Sequence, residues 1–247
     1  MDERLYQHFF DVEERFWWNV GTRRAFFSAL AAVHTDADAR VVDVGCGTGI
    51  VLREFPWRPR LLCGCDASST ALEFTRHRGI RNLVRGDVTA LPFADNSIDL
   101  LLALDVIEHL DDDAAALREL TRVLRPGGHL LLHVPAFEVL WSDKDDINQH
   151  RRRYRRPVLL RRVRDAGLEP VSSGYLNAAL FPVGLVRGLW QRVRQPDSEA
   201  TAMFLDRLYY PSGIVNRAMT ALLSAEAHLV RWLPFGMSLL CLARKPF

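Results

Sequence analysis

Between residues 40 and 135 short apolar runs alternate with amphipathic stretches. RVVDVG (40–45), LLCGCD (61–66), NLVRGD (82–87), SIDLLLALD (97–105) and HLLLHVP (129–135) are brief and near-continuously apolar, which predicts buried strands. TGIVLREF, SSTALEFTRHRG and DDDAAALRELTRVLRPGG read as the intervening helices. Ser68 or Ser69 caps the second of these and Gly79 stops it. The third carries acids in its first turn and arginine near its end, as the helix dipole favours. Strands and helices in strict alternation imply a parallel sheet covered on both faces.

The flanks break this rhythm. TRRAFFSALAAV (22–33) reads as an amphipathic helix. HFFDVEERFWWNV sets His8, Phe9, Phe10, Phe16, Trp17 and Trp18 among acids. That is more aromatic surface than an ordinary exposed helix uses, so the segment is either a docked helix or a lid over a flat ligand. LEPVSSGY (168–175) reads as a sixth strand, and MSLLCLARKP closes the chain as a last one. Residues 178–235 are helical and apolar, with a turn at RQPDSE. The expected organisation is a helical cap or lid over 1–39, a core over 40–177, a helical insert over 178–235, and the core's last strand over 236–247.

Composition narrows the class. A chain of 247 residues is long enough for one sizeable core. Its 49% hydrophobic and 25% charged content is that of a soluble globular protein. No stretch reaches the roughly 18 uninterrupted apolar residues of a membrane span. MDERLYQHFF is acidic and aromatic, unlike a signal peptide. The four cysteines, Cys46, Cys63, Cys65 and Cys241, lack zinc-knuckle spacing and read as reduced buried thiols. The expected setting is cytoplasmic, with peripheral membrane contact left open. A net charge of only +2 argues against a nucleic-acid partner.

The chemistry concentrates at VVDVGCGTG. A strand that ends in a glycine-rich turn and opens into a helix presents backbone N–H groups and a positive helix end. Gly45, Gly47 and Gly49 give G-x-G-x-G, not the G-x-G-x-x-G of dinucleotide sites, and no P-loop motif occurs. Asp66 ends the second strand, where a carboxylate can accept ribose hydroxyls. Asp87 ends the third, where a side chain can meet an adenine amino group.

In VVDVGCGTG, GCDAS, GDVTALPFADNSIDLLLALDVIEHL and LRPGGHLLLHVP the chain resembles the class I S-adenosylmethionine (SAM)-dependent methyltransferases. The resemblance implies a Rossmann-like α/β fold: a seven-stranded, mostly parallel sheet with an antiparallel last strand. It implies SAM as cofactor, lying across the strand ends. Gly45, Cys46 and Gly47 would face its methionine part, Asp66 and Ala67 the ribose, and Asp87 with Val88 the adenine. Leu104 would line the floor beneath the sulfonium, Asp43 would orient the turn, and Trp17 would cover the ligand.

On the acceptor side, His109 follows the fourth strand and is either a general base or a packing residue. Asp105, Glu108 and His109 also resemble the acid-x-x-Glu-His pattern of ubiquinone-pathway O-methyltransferases, where such a trio can hold a divalent metal. The same turn occurs in relatives without one, and the expectation is no metal. In NQHRRRYRR, His150 and Tyr154 are expected to face the acceptor as catalytic groups, and Arg153 to bind an acidic head. Eight arginines fall between Arg151 and Arg164, which is otherwise a solvated face balanced by DKDD. Phe181 and Trp190 of the insert are expected to form the pocket's apolar end. The insert could equally be core, a homodimer seam or an interfacial membrane contact. The expected activity is methyl transfer to a small or lipid-like acceptor at oxygen, nitrogen or carbon, an acidic head being one option. The alternatives are a SAM-fold regulatory protein without acceptor chemistry and an RNA or protein methyltransferase.

Overall fold

The computed structural model describes residues 3–31, 33, 37–193 and 212–247. Two helices come first, α1 (Glu3–Val12) and α2 (Trp17–Leu30). The core follows as β1 (Arg40–Val44), α3 (Ile50–Arg53), β2 (Leu61–Asp66), α4 (Ser69–His77), β3 (Leu83–Arg85), β4 (Ile98–Leu104), α5 (Asp113–Val123) and β5 (Leu124–Pro135). Then come α6 (Asp143–Ile147), α7 (Arg156–Asp165), β6 (Glu169–Leu176), α8 (Phe181–Val193), α9 (Gly213–Glu226) and β7 (Ser238–Arg244). The seven strands form one sheet in the order β3-β2-β1-β4-β5-β7-β6. β7 runs antiparallel between β5 and β6, and the pairs from β3 through β5 are parallel.

The central strands carry the core on both faces, since neighbouring side chains point to opposite sides. Leu100, Leu102 and Leu131 pack with Phe26 and Leu30 of α2 on one face. Leu101, Ala103, Leu130 and Leu132 pack with Leu117 and Leu120 of α5 on the other. Each fully buried leucine contributes about 1.5–3 kcal/mol relative to an exposed one. The strand order reverses between β1 and β4. At such a switch point the connections leave in opposite directions and open a crevice beyond the strand ends.

Local differences from the sequence reading have local causes. The helix after β1 is a single turn. The helix expected over 22–33 begins earlier, at Trp17, because Asn216 Oδ1 accepts from the Trp17 backbone N–H at 3.0 Å and anchors its start. The cap and insert are not independent. α9 lies on α2 so closely that a Cβ on Gly21 would sit 2.5 Å from Leu223 Cβ, so only glycine fits there. The turn expected at RQPDSE lies outside the described residues. Among the described residues no helix is long and apolar enough to cross a membrane.

Candidate functional site

The turn after β1 is shaped by backbone that glycine alone adopts at little cost. Gly45, Gly47 and Gly49 have φ of 72°, 54° and 80°. A Cβ on Gly45 would lie 2.5 Å from Val106 Cγ2, whereas one on Gly47 would meet nothing within 4 Å. Gly47 therefore borders open space. That space is a cavity of about 180 Å³ at the β1/β4 switch point, walled by Asp43, Cys46, Gly47, Leu104 and Asp105. A larger cavity of about 330 Å³ lies elsewhere, between α2, β6 and the turn at Val230–Trp232. It touches neither the glycine turn nor the strand-end carboxylates, so the smaller one is the candidate site.

The strand-end carboxylates are held ready. Asp66 Oδ2 accepts from Gly47 N–H at 3.0 Å and Oδ1 from Ser68 N–H at 2.9 Å. One neutral donor per oxygen fixes the group and leaves lone pairs for hydroxyl donors. Asp87 is exposed, and its Oδ1 takes both the N–H and the O–H of Thr89. Those hydrogen bonds hold its carboxyl below the ordinary range. Asp43 is buried in the cavity wall, and burial, aided by the Asp66 charge, pushes it up to about 8. Val88 packs in the core beside this edge, and Ala67 is exposed, its carbonyl accepting from Arg85.

The roof comes from the N-terminal helices, through Tyr6, Phe9, Glu13 and Trp18. Arg78 straps α1 down: its wholly buried guanidinium reaches Glu13, Glu14, the Phe10 carbonyl and the Thr48 carbonyl, with the Phe10 ring 4.2 Å away. Thr48 of the glycine turn also donates to Glu13. The aromatic segment is thus tied to the turn by buried ionic contacts. The aromatic over the cavity is Trp18, not Trp17. Trp17 is only 4% exposed, packed with Val12, Phe16 and Leu223, because its place at the start of α2 turns it inward.

Beyond the fourth strand the chain enters a left-handed residue, Asp105 (φ 57°), then a 3-10 turn, Ile107–His109. Asp105 Oδ1 lies 2.8 Å from Nδ1 of buried His133 on β5. Glu108 is fully buried and shares a hydrogen bond with Asp105. Burial and the Asp105 charge raise its pKa well above the ordinary value. His109 meets His150 edge to face at 4.8 Å between ring centres. Burial, then the neighbouring His150, lowers the His109 pKa, and the Asp105 charge, with a hydrogen bond to the Gln149 backbone, partly offsets this. Both rings are half-buried.

His150 reaches this place because its loop is pinned. Arg151 N–H donates to the Glu108 carbonyl at 2.8 Å, and Tyr154 exchanges backbone hydrogen bonds with β5 and Phe137. Asp145 orients the ring, with Oδ1 2.8 Å from His150 Nδ1. Asp145 also accepts two bonds from Arg153, each 2.8 Å, and the Ser142 N–H at 2.8 Å. Burial opposes ionisation of Asp145, but His150 and Arg153 outweigh it and hold the carboxyl at about 2.

These contacts correct three expectations. Arg153 is spent on Asp145 and the Ala136 carbonyl, its side chain only 9% exposed, so it does not head an acceptor pocket. Tyr154 is in the core and donates to Asp113 at 2.7 Å; burial raises its pKa, which removes it as a base. Phe181 sits in an aromatic cluster with Phe137 and Phe235, while Trp190 is 57% exposed, so the two do not close one apolar pocket. Part of the basic run is also spent internally, while Arg155, Arg161 and Arg164 stay exposed. Arg152 and Arg162 pair with buried Asp113, and Arg156 donates to Ser173. Sequence reading missed Asp145, Glu13 and His133. A buried histidine inside the apolar HLLLHVP was the one signal for His133; nothing in DKDD distinguishes Asp145 from its neighbours.

Comparison with known proteins agrees with this geometry. Residues 42–132 match the family model described as a methyltransferase domain. Over 110 residues the chain is 37% identical to a demethylmenaquinone methyltransferase of Corynebacterium kroppenstedtii, covering 42% of this chain and 48% of that protein. Over 101 residues it is 37% identical to the protein named "Probable tRNA methyltransferase 9B" of Mus musculus, covering 40% and 22% respectively. The chain therefore spans about half or less of these two relatives. A chain from the complex between the Haloferax volcanii Trm112 methyltransferase activator and a methyltransferase shares the fold, with TM-score 0.64, 22% identity, and 96% and 93% coverage.

Proposed function

Because residues 42–132 form a class I SAM-dependent methyltransferase domain, we propose that this protein binds SAM in the cavity beside Gly47 and methylates a small or lipid-like acceptor presented at His109 and His150. The observation that carries the reading is one sheet edge that holds the glycine turn, two strand-end carboxylates and a half-buried histidine pair. When bound, SAM supplies an electrophilic methyl group on its sulfonium. Asp66 accepts ribose hydroxyls, and Asp87, at the end of β3, lies toward the adenine. Gly47 leaves room where any side chain would intrude. Asp43 is a buried carboxyl whose ionisation a nearby ammonium would favour. Leu104 forms the floor, and Trp18 with Phe9 excludes water.

On the acceptor side, alignment supplies most of the rate, since in-line displacement at carbon needs little else. A neutral imidazole at His109 or His150 can take a proton from an O–H or N–H acceptor. The lowered pKa of His109 keeps that ring neutral and able to accept. The lipid-like acceptor is supported by the likeness to a demethylmenaquinone methyltransferase and by exposed Val183, Val186, Trp190 and Ile214 on α8 and α9. Those helices also suit peripheral membrane contact or a second copy of the chain. An RNA acceptor is the second reading, on the likeness to the tRNA methyltransferase, but the internal pairing of Arg152, Arg153 and Arg162 weighs against it. The test measures S-adenosylhomocysteine release against quinols, phenols, amines and bulk tRNA. Turnover with a small aromatic or lipid acceptor supports the proposal. Turnover only with tRNA replaces it, and SAM binding without release from any acceptor indicates a SAM-fold binding protein.

A further inference from the structure

We propose that the larger cavity, of about 330 Å³ between α2, β6 and the turn at Val230–Trp232, is a second ligand site that takes a small aromatic carboxylate. It lies on the sheet face that α2 covers, away from the glycine turn and the strand-end carboxylates. Its volume is at the lower end of the roughly 300–1,000 Å³ of small-molecule sites.

Two departures from a plain sheet edge shape its wall. β6 pairs with β7 through an irregularity: Pro170 stands opposite Ala243, and Ser172, not Val171, stands opposite Leu242. Residues directly opposite in an antiparallel pair point to the same side of the sheet. The extra residue therefore turns the Ser172 hydroxyl toward the cavity and leaves Val171 52% exposed. Two residues further on, a Cβ at Gly174 would sit 1.9 Å from the Val230 carbonyl oxygen. Only glycine lets the Val230–Trp232 turn lie directly on the strand, and that contact holds Arg231 and Trp232 at the rim.

The lining selects the ligand. Leu240, Leu242 and Ala227 form an apolar floor, and Ala25 and Ala29 of α2 form one side. The polar groups are the hydroxyls of Ser28 and Ser172, the His228 imidazole and the Arg231 guanidinium, and among the described residues no carboxylate lines the cavity. Among the described residues none of these four side chains has a hydrogen-bond or ion-pair partner. Arg23, Arg78, Arg122 and Arg153, by contrast, are each paired with a carboxylate. Trp232 stands 82% exposed at the mouth. A guanidinium fork suits a carboxylate, an indole face suits a planar ring, and covering the apolar floor supplies affinity. An inorganic anion gains nothing from the leucines, and a neutral ring leaves the guanidinium unanswered. The site also touches the cofactor cavity through one helix. α2 lines both, with Ala25, Ser28 and Ala29 here and Trp18, Asn19, Thr22 and Phe26 there. A ligand that ties α2 to β6 steadies the helix that carries the roof. Resting on the SAM reading above, it tightens SAM, and by reciprocity SAM tightens it.

The test is calorimetry on the full chain with indole-3-carboxylate as probe, indole-3-methanol as the ring without the charge, and acetate as the charge without the ring. The expected result is one indole-3-carboxylate per chain with a Kd of about 10⁻⁴–10⁻³ M, and binding of the other two weaker by about tenfold or more. Arg231→Gln and Trp232→Ala replace exposed side chains and empty no core, and each should weaken the probe roughly five- to tenfold. Ser172→Val should weaken it several-fold, and denaturant unfolding reports the fold of each variant. SAM should bind several-fold more tightly at saturating probe. No probe binding at millimolar concentration, equal binding of acetate or the alcohol, or unchanged affinity in Arg231→Gln and Trp232→Ala overturns the site. Displacement of the probe by SAM, or its loss in His109→Ala, puts the probe in the other cavity and overturns the site as well. Probe binding that leaves SAM affinity unchanged keeps the site and overturns the coupling. A chain that binds the probe and not SAM refutes the functional reading and not the site.

Discussion

The two halves of the proposed site are built by different means. The proposed cofactor edge is chiefly backbone: three glycines with positive φ and a turn opening from β1, with carboxylates at the ends of β2 and beside β3. Its glycines and carboxylates lie within the run from Asp43 to Asp87, and each is placed by the strand that carries it. The proposed acceptor edge is side chain. His109 and His150 are distant in sequence and are brought to 4.8 Å by a loop whose shape depends on buried ion pairs. Backbone geometry tolerates change everywhere but at the glycines. A site held by buried charge fails when any partner is removed, because the remaining charge is left unpaired. The acceptor edge should therefore be the more fragile half, and its injuries should leave cofactor binding intact.

The largest effect expected is on turnover. His109→Ala or His150→Ala should lower kcat by about 10²–10⁴, as loss of a positioned general base does. SAM affinity by calorimetry should stay within a few-fold, and a large parallel loss of SAM affinity would erase the distinction between the two halves.

The two neighbouring tryptophans separate stability from binding. Trp17→Ala empties a packed cluster and should cost about 3–5 kcal/mol in denaturant unfolding. Trp18→Ala should leave stability nearly unchanged and weaken SAM several-fold. The reverse pattern would place the roof at Trp17.

On the cofactor edge, Asp66→Ala should weaken SAM by about 1.5–3 kcal/mol, since two hydroxyls lose a charged acceptor. Turnover at saturating SAM should change less than in the histidine variants. Unchanged SAM affinity in a folded Asp66→Ala protein would remove the ribose assignment.

The smallest effect carries the pH dependence. Asp145 is depressed to about 2 from 3.8, so its stabilisation is present above the unfolded pKa and is lost as pH falls from about 4 toward 2. The shift corresponds to about 2 kcal/mol. Asp145→Asn should be less stable than wild type by roughly that amount at pH 7, with the gap closing near pH 2. A gap that persists at low pH would mean that shape, and not charge, holds the loop.

Much of this molecule was legible in the chain. The alternation of apolar strands and amphipathic helices dictates a covered parallel sheet, because buried strands need helices on both faces. A strand, a glycine-rich turn and a strand-end aspartate were readable at the proposed cofactor edge, because each signal is local and the backbone that follows from it is local too. The resemblance of VVDVGCGTG and LRPGG to a methyltransferase family rested on the same short-range features. What only tertiary structure decided is where long charged side chains end. Arg153 and Tyr154 look like acceptor groups beside a strand end, yet one is consumed by Asp145 and the other by Asp113. Trp17 and Trp18 are adjacent and chemically alike, and one helical step sends the first into the core and the second over the cavity. Spacing along the chain fixes which face a residue occupies. Partners are set by what the fold brings opposite it, and a buried ion pair between residues of distant segments has no periodicity to read.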